Sequence, residues 1–92
     1  MKIIFKETFV FRLENQLEYI AADSPNNARK FKNDLFKALN EISSNPFKYR
    51  KSIYFNDVSI RDLIYKGYTI VFRINGETIE VFGFVKYQNS PI

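Results

Sequence analysis

The sequence contains no cysteine and no histidine, and only three glycines and three prolines among its 92 residues. The absence of cysteine excludes a disulfide framework and a cysteine-ligated metal, and a small domain without disulfides favours the cytoplasm. The absence of histidine removes the commonest general base and the commonest metal ligand at neutral pH. The residues that are present indicate no metal and no organic cofactor.

Long hydrophobic runs are also missing. The opening apolar run, residues 3–5, is far shorter than the core of a signal peptide, and no stretch approaches the length of a membrane span. What is present is a composition of 46% hydrophobic and 17% aromatic residues, which can build an apolar core. We therefore expect one domain over residues 1–92 and no membrane partner.

The net charge of +4 is unevenly distributed along the chain. Residues 47–92 carry seven Lys and Arg against four acids, whereas residues 1–46 carry seven against six. The second half would therefore meet an acidic partner, unless the excess charge only keeps the protein in solution.

Periodicity predicts an α+β fold. Residues 2–6 have the composition of a strand, and an apolar stripe of helical spacing follows from about Glu7. Ser24 and Pro25 are typical of an N-cap and the first position of a second helix, which should lie antiparallel to the first. Three strands then follow, at 58–65, 68–74 and 77–86. The prediction is an N-terminal strand, an αα-hairpin and a three-stranded antiparallel meander with the helices on one face of the sheet.

Two turns, Lys66-Gly67 and Asn75-Gly76, predict the register of the meander. Ile70 would then lie opposite Val81, and Phe72 opposite Ile79. The face toward the helices would carry Leu63, Tyr65, Tyr68, Ile70, Phe72, Ile79 and Val81, with Arg61 at its end. The other face would carry Ile60, Ile64, Thr69, Val71, Phe82 and Phe84, with Asp62, Arg73, Glu80 and Lys86 among them. Tyr19 is expected in the core with Tyr65 and Tyr68.

The face away from the helices is half apolar, whereas a solvated sheet face is normally polar. Either the 47–57 connection and the tail 87–92 cover this face, or a partner does. The segment Lys48-Tyr49-Arg50-Lys51 alternates basic and aromatic residues as a nucleic-acid surface does, but a lone tetrapeptide of this kind is more typical of a solvated loop.

The ordered motifs of the chain resemble one family. They are Tyr19-Ile20-Ala21 before Ser24-Pro25-Asn26-Asn27-Ala28, then Pro46, Arg61-Asp62-Leu63, the strand from Tyr65-Lys66-Gly67-Tyr68 to Ile74, and Ile79-Glu80-Val81-Phe82. This order is similar to the RelE/ParE toxin superfamily, and is closer to the ParE branch of plasmid-stabilisation toxins from type II toxin–antitoxin modules. The resemblance covers nearly the whole chain.

The resemblance implies a growth-inhibiting toxin that acts by binding a protein target rather than by catalysis, with DNA gyrase or the ribosome as the candidate targets, and that forms a hetero-oligomer with its antitoxin. DNA would be contacted only through the antitoxin. The expected target contacts are Arg61, which matches the Arg of the family's Arg-x-Leu strand, Arg73 on the open face, and Lys86 and Tyr87 at the end of the last strand, where the family's functional residues cluster. Arg61 would otherwise pair with a helix carboxylate, and Arg73 with Asp62 and Glu80. The aromatic open face makes Phe82, Phe84 and their neighbour Val71 the expected antitoxin contacts.

Two alternatives remain. RelE-like members are ribosome-dependent mRNA endonucleases, whose pattern needs cations where this chain has Ile60, Asp62 and Thr69. A divergent nuclease site would have to use Lys86, Tyr87, Arg50 or Lys51. The second alternative is a non-toxic member that keeps the fold and only binds its partner.

Overall fold

The computed structural model describes residues 1–86, and these form two helices and five strands. In chain order the elements are β1 (Lys2–Phe5), α1 (Glu7–Asp23), α2 (Pro25–Glu41), β2 (Arg50–Lys51), β3 (Ile60–Tyr65), β4 (Tyr68–Asn75) and β5 (Thr78–Lys86). Two short 3₁₀ turns, Ile42–Ser44 and Pro46–Lys48, connect α2 to β2. The predicted α+β class and the helical hairpin are confirmed.

Ser24 forms the junction between the two helices. Its backbone N–H donates to the carbonyl of Ile20 at 2.9 Å, which closes the end of α1. Its hydroxyl accepts from the backbone N–H of Asn27 at 3.2 Å, which caps the start of α2. With Pro25 at the first helical position, one residue ends one helix and begins the next.

The sheet has the strand order β1-β5-β4-β3-β2 and includes one parallel pair. β1 lies parallel to β5, with Lys2 opposite Thr78 and Phe5 opposite Val81. All other pairs are antiparallel, and β2 contributes only two residues at the far edge. The first strand and the short β2 therefore extend the predicted meander to five strands.

The two tight turns differ from each other. At Lys66-Gly67 both central residues have positive φ, 46° and 84°, as the predicted hairpin turn requires. At the second turn Asn75 pairs with Thr78, so the central residues are Gly76 and Glu77. Of these only Gly76 has positive φ, 62°. The predicted Asn75-Gly76 turn was therefore displaced by one residue along the chain.

A β-bulge in β5 changes the second half of that strand. Phe72 pairs with Val81 and Val71 with Gly83, which leaves Phe82 without a partner on β4. The predicted pairs of Ile70 with Val81 and of Phe72 with Ile79 are wrong. Beyond the bulge Ile70 faces Phe84 and Tyr68 faces Lys86, so Phe84 and Lys86 lie on the helix side rather than the open side.

The core lies between the helices and one sheet face. Every residue predicted for that face is in the core or packed against it, and Phe9, Leu35 and Leu39 of the helices are fully buried. Burial raises the pKa of the Tyr68 phenol. Tyr19, which was expected in the core, is 71% exposed. Within residues 1–86 no helix is long and apolar enough to cross a membrane.

Candidate partner-binding site

Residues 52–59, here called the cover, pass over the sheet face that carries no helix. Ile60 and Val71 point to this face and are each only 2% exposed. The ring of Phe55 packs edge-to-face on Phe82, with centroids 5.6 Å apart. The chain itself therefore covers the apolar centre of the open face, while Ile64 remains 53% exposed.

The buried carboxylate of Asp62 holds the start of the cover. Its side chain is 0% exposed, and Oδ2 accepts from Arg50 Nη2 at 3.1 Å and Nε at 3.3 Å. The same oxygen accepts from the backbone N–H of Ile53 at 3.1 Å. A buried carboxylate is unfavourable unless it is paired, so these bonds fix where the cover leaves β2.

A second aspartate fixes the end of the cover before β3. Asp57 Oδ1 accepts from the hydroxyl of Ser59 at 2.7 Å and from its backbone N–H at 2.9 Å. These hydrogen bonds, with a smaller contribution from the charge of Arg73, hold the pKa of Asp57 below its usual value. Both ends of the cover are thus tied by carboxylates.

A groove of about 320 Å³ lies between the cover and α1, and we call it the sheet groove. It is lined by Thr8, Arg12, Tyr54, Phe55, Val71, Phe82, Gly83 and Val85. Thr8 Oγ1 donates to the carbonyl of Phe82 at 2.7 Å, which ties α1 to the bulge. An apolar floor beside a single guanidinium suits a peptide segment that combines apolar and acidic side chains.

A larger groove of about 530 Å³, the helix groove, lies on the other side of the start of α1. Its lining is Phe5, Glu7, Thr8, Val10, Phe11 and Glu14. Phe11 is 65% exposed there, which is unusual for a phenylalanine. Thr8 lines both grooves, so they form one track around the N-terminal turn of α1.

The predicted antitoxin contacts divide into two groups. Phe82 and Val71 line the sheet groove, Val71 as part of its floor. Phe84 is 6% exposed and packs against Phe9 at 5.9 Å and Tyr68 at 4.9 Å between ring centroids. The open-face placement of Phe84 was wrong because the bulge reverses the direction of its side chain. The expectation that Phe84 contacts the antitoxin depended on that placement and loses its support.

Arg61, a predicted target contact, is held by backbone carbonyls. Nε donates to Val58 at 2.8 Å, and Nη1 donates to Phe47 at 3.2 Å and to Tyr49 at 3.0 Å. The alternative expectation of a helix carboxylate as its partner is therefore wrong. The guanidinium joins the 47–49 segment to the start of β3.

The other predicted target contacts are dispersed. Arg73 is exposed and lies opposite Glu80 across the β4–β5 ladder. Among the described residues it forms no ion pair within 4 Å, and its other expected partner, Asp62, pairs with Arg50 instead. Lys86 ends β5 on the helix side, with Nζ 5.7 Å from the ring centroid of Tyr19. Tyr87 lies outside the described residues, so its predicted role stays a prediction.

The positions proposed for a divergent nuclease site do not converge. Arg50 lies at the β2 edge and is bound to Asp62, while Lys86 lies on β5 on the other face of the sheet. Three strand spacings separate them, about 14 Å across the sheet. Ile60, Asp62 and Thr69 are all at most 4% exposed.

Sequence reasoning missed Thr8, Arg12, Tyr54 and Phe55, which line the sheet groove. Two signals were available. Gly83 inside an apolar strand is typical of a bulge or a close backbone approach, and an added Cβ would lie 2.9 Å from Val71 Cβ. The second signal is the largely apolar run Ile53-Tyr54-Phe55, which is expected to pack against an apolar surface of the protein.

Among solved structures, the chain resembles one described as the chromosomal ParDE toxin–antitoxin system from P. aeruginosa. The TM-score is 0.78 at 14% identity, and the alignment covers 96% of this chain and 97% of that one. At this identity the likeness shows the fold, a helical hairpin on a mixed sheet.

The sequence profile described as "ParE toxin of type II toxin-antitoxin system, parDE" matches residues 3–89. The chain therefore belongs to the ParE toxin family of type II toxin–antitoxin systems, and a cognate antitoxin is its implied partner. No curated protein matches the sequence.

Proposed function

We propose that this chain is a cytoplasmic toxin that arrests growth by binding DNA gyrase, without catalysis, and that a cognate antitoxin neutralises it. All 92 residues act as one toxin domain. The gyrase target follows from the ParE branch of the resemblance, and the family match over residues 3–89 is the observation that carries the proposal.

Binding rather than RNA cleavage is supported by what occupies the nuclease positions. A cleavage site needs accessible cations next to the scissile phosphate. At these positions the chain has the buried side chains of Ile60 and Thr69 and the buried carboxylate of Asp62, whose partner is Arg50. An anion there would repel a phosphate.

The track formed by the sheet groove and the helix groove is the proposed antitoxin surface. Exposed aromatic side chains occur along it, Phe55 at 45% and Phe11 at 65%. Aromatic anchors in grooves contribute most of the affinity in many interfaces. A segment that wraps the start of α1 would fill both grooves, because they share Thr8.

The first experiment is to induce this gene alone in a bacterial host and then together with the neighbouring small gene. We expect growth to stop and the neighbour to restore it. The purified chain should inhibit supercoiling by gyrase in the absence of ribosomes. Growth arrest with mRNA cleavage and active gyrase would replace the gyrase proposal with the nuclease alternative. Soluble expression without growth arrest, with the antitoxin still bound, would identify a non-toxic member.

A pair of phenylalanine variants tests the antitoxin surface. Phe55→Ala removes an aromatic wall of the sheet groove and should weaken antitoxin binding by about tenfold or more. Phe47→Ala is the matched control, since Phe47 is 58% exposed and does not line the track. Calorimetric titration with the antitoxin measures both. Equal affinities for the two variants would place the antitoxin elsewhere.

A further inference from the structure

A third groove, of about 300 Å³, lies between α1 and the end of β5, and we call it the α1–β5 groove. It is lined by Arg12, Asn15, Gln16, Tyr19, Phe84 and Lys86. Nothing in the antitoxin proposal uses this groove, apart from Arg12, which lies between it and the sheet groove.

The four residues from α1 form one stripe. Arg12, Asn15, Gln16 and Tyr19 are spaced at i, i+3, i+4 and i+7, which places them on the same side of the helix. A stripe at this spacing is commonly apolar and buried, but here three members are polar and Tyr19 is 71% exposed. The chain thus presents polar groups and one exposed aromatic ring along a line.

The β-bulge completes the groove from the sheet side. Because Phe82 is the extra residue, Phe84 and Lys86 lie on the helix side. Phe84 contributes an apolar floor, and the Lys86 ammonium lies 5.7 Å from the centroid of the Tyr19 ring. The groove is therefore lined by two aromatic rings and two cationic side chains.

Neither cation is paired with a carboxylate among the described residues. Within residues 1–86, Arg12 and Lys86 have no carboxylate within 4 Å. The two acids between Arg12 and Tyr19 on α1, Glu14 and Glu18, do not line this groove. An incoming carboxylate would therefore meet two positively charged side chains.

We propose that the α1–β5 groove binds a short segment of the target protein that carries an acidic residue next to an apolar one. This inference rests on the proposed function, since it concerns how the toxin holds its target. The carboxylate lies between Arg12 and Lys86, and the apolar side chain packs on the Tyr19 ring. The amides of Asn15 and Gln16 both donate and accept, as a peptide backbone requires, whereas a phosphate backbone only accepts.

The test compares two double variants with the same change in charge. Gln16→Glu with Lys86→Glu makes the α1–β5 groove acidic. Lys32→Glu with Asn33→Glu makes the same change on exposed positions of α2, outside every groove described above. Binding of each variant to the antitoxin, together with its circular dichroism, reports whether it is folded.

The direct probe is a set of short synthetic peptides that alternate Asp with Leu, titrated into the ¹⁵N-labelled full chain. Signals of the Gln16 side-chain amide should shift, and the Gln16/Lys86 variant should bind at least about tenfold more weakly while the α2 variant stays close to the parent. The same peptides with Asn in place of Asp should not bind. Unshifted Gln16 signals, or equal binding by the two variants, would overturn the proposal.

Growth arrest separates this inference from the proposed function. If the parent arrests growth and the folded Gln16/Lys86 variant is equally toxic, the groove inference fails while the toxin proposal stands. If the parent is not toxic, the toxin proposal fails, and the α1–β5 groove inference is then tested by the peptide titration alone. Tighter binding of a single-stranded oligonucleotide than of the acidic peptide at this groove would assign it to nucleic acid and overturn the inference.

Discussion

At the scale of single residues, the most constrained group is the Asp62 carboxylate. It lies in the middle of β3 with no exposed area, and it binds both the Arg50 guanidinium and the Ile53 backbone. Its Oδ1 atom has no hydrogen-bond partner among the described residues. Burying a carboxylate with one unbonded oxygen lowers the stability of the fold. We therefore infer that the main role of Asp62 is to fix the position of the cover rather than to add stability.

Replacing Asp62 with alanine should lower the free energy of unfolding by about 2 kcal/mol, because the Ile53 N–H and the Arg50 guanidinium both lose a charged acceptor. Arg50→Ala should cost more, about 3 kcal/mol, because it leaves the Asp62 carboxylate, which is 0% exposed, without its counter-charge. Urea unfolding followed by circular dichroism measures both. A smaller loss for Arg50→Ala than for Asp62→Ala would contradict this assignment.

Gly83 is a second residue whose identity the packing dictates. A Cβ at this position would lie 2.9 Å from Val71 Cβ and 3.1 Å from Val71 Cγ2, and Val71 is buried. Gly83→Ala should therefore destabilise the protein by about 1–3 kcal/mol. Adding Val71→Gly, which removes both of these atoms, should recover part of that loss, so the double variant should be more stable than the sum of the two single changes predicts. Additive losses in urea unfolding would show that the two residues are not in contact.

At the scale of elements, the junction at Ser24 decides how the hairpin folds back. Ser24→Ala removes the acceptor for the Asn27 N–H and should cost about 1 kcal/mol. Ser43→Ala is the control, because that hydroxyl donates to the carbonyl of Asn40 and caps no helix start. Thermal unfolding compares the two. A Ser43 variant as unstable as the Ser24 variant would mean that the cap contributes nothing specific.

The elements also show where sequence reasoning succeeds and where it ends. The helices, the hairpin junction and the Lys66-Gly67 turn were predictable because their signals are local: helical spacing, an N-cap and two residues with positive φ. The bulge at Phe82 was not predicted, since it depends on how Gly83 packs on Val71 across the sheet. That one extra residue moved Phe84 and Lys86 to the helix side and changed the candidate site.

Local sequence patterns also cannot predict which strands pair when they lie far apart in the chain, because that pairing depends on the tertiary structure. β1 could be read as a strand, but no turn specifies its neighbour, and its partner β5 is at the other end of the described chain. The site was predictable only where it depends on alternation along one strand, as for Val71. The contributions of Thr8 and Tyr54 required the tertiary structure.

At the scale of the whole molecule, the lack of histidine and cysteine predicts a flat dependence of stability on pH near neutrality. No side chain in the sequence has an ordinary pKa between about 5 and 9. Hydrogen bonds from Ser59 lower the pKa of Asp57, and the Lys30 ammonium does the same for Asp34. The pKa of Lys30 is raised in turn, chiefly by its hydrogen bond to Asp34.

The direction of each pKa shift determines the pH range over which the stability is constant. A lowered carboxyl pKa contributes stability above the usual Asp value, and the contribution is lost as the pH falls through the lowered pKa. The raised Lys30 pKa contributes below the usual Lys value and is lost as the pH rises through the raised one. Urea midpoints should be constant between about pH 5 and 9 and decline outside that range.

Asp57→Asn should reduce the fall of the urea midpoint at acidic pH. Asp23→Asn serves as the control, because the Asp23 carboxylate makes no side-chain hydrogen bond within residues 1–86. A midpoint that slopes through neutral pH, or an unchanged acid limb in Asp57→Asn, would contradict this account.

The parallel pairing of β1 with β5 has a consequence for how the protein is made. Among the described strands, β1 is synthesised first, and its only sheet neighbour is β5, the last of them, with Lys2 beside Thr78 and Phe5 beside Val81. Such distant contacts form only after the intervening chain has been synthesised. Nascent or prematurely terminated chains therefore lack the β5 side of both the sheet groove and the α1–β5 groove. The proposed binding surfaces are therefore complete only once β5 has been synthesised, and the antitoxin has no need to engage the chain before then.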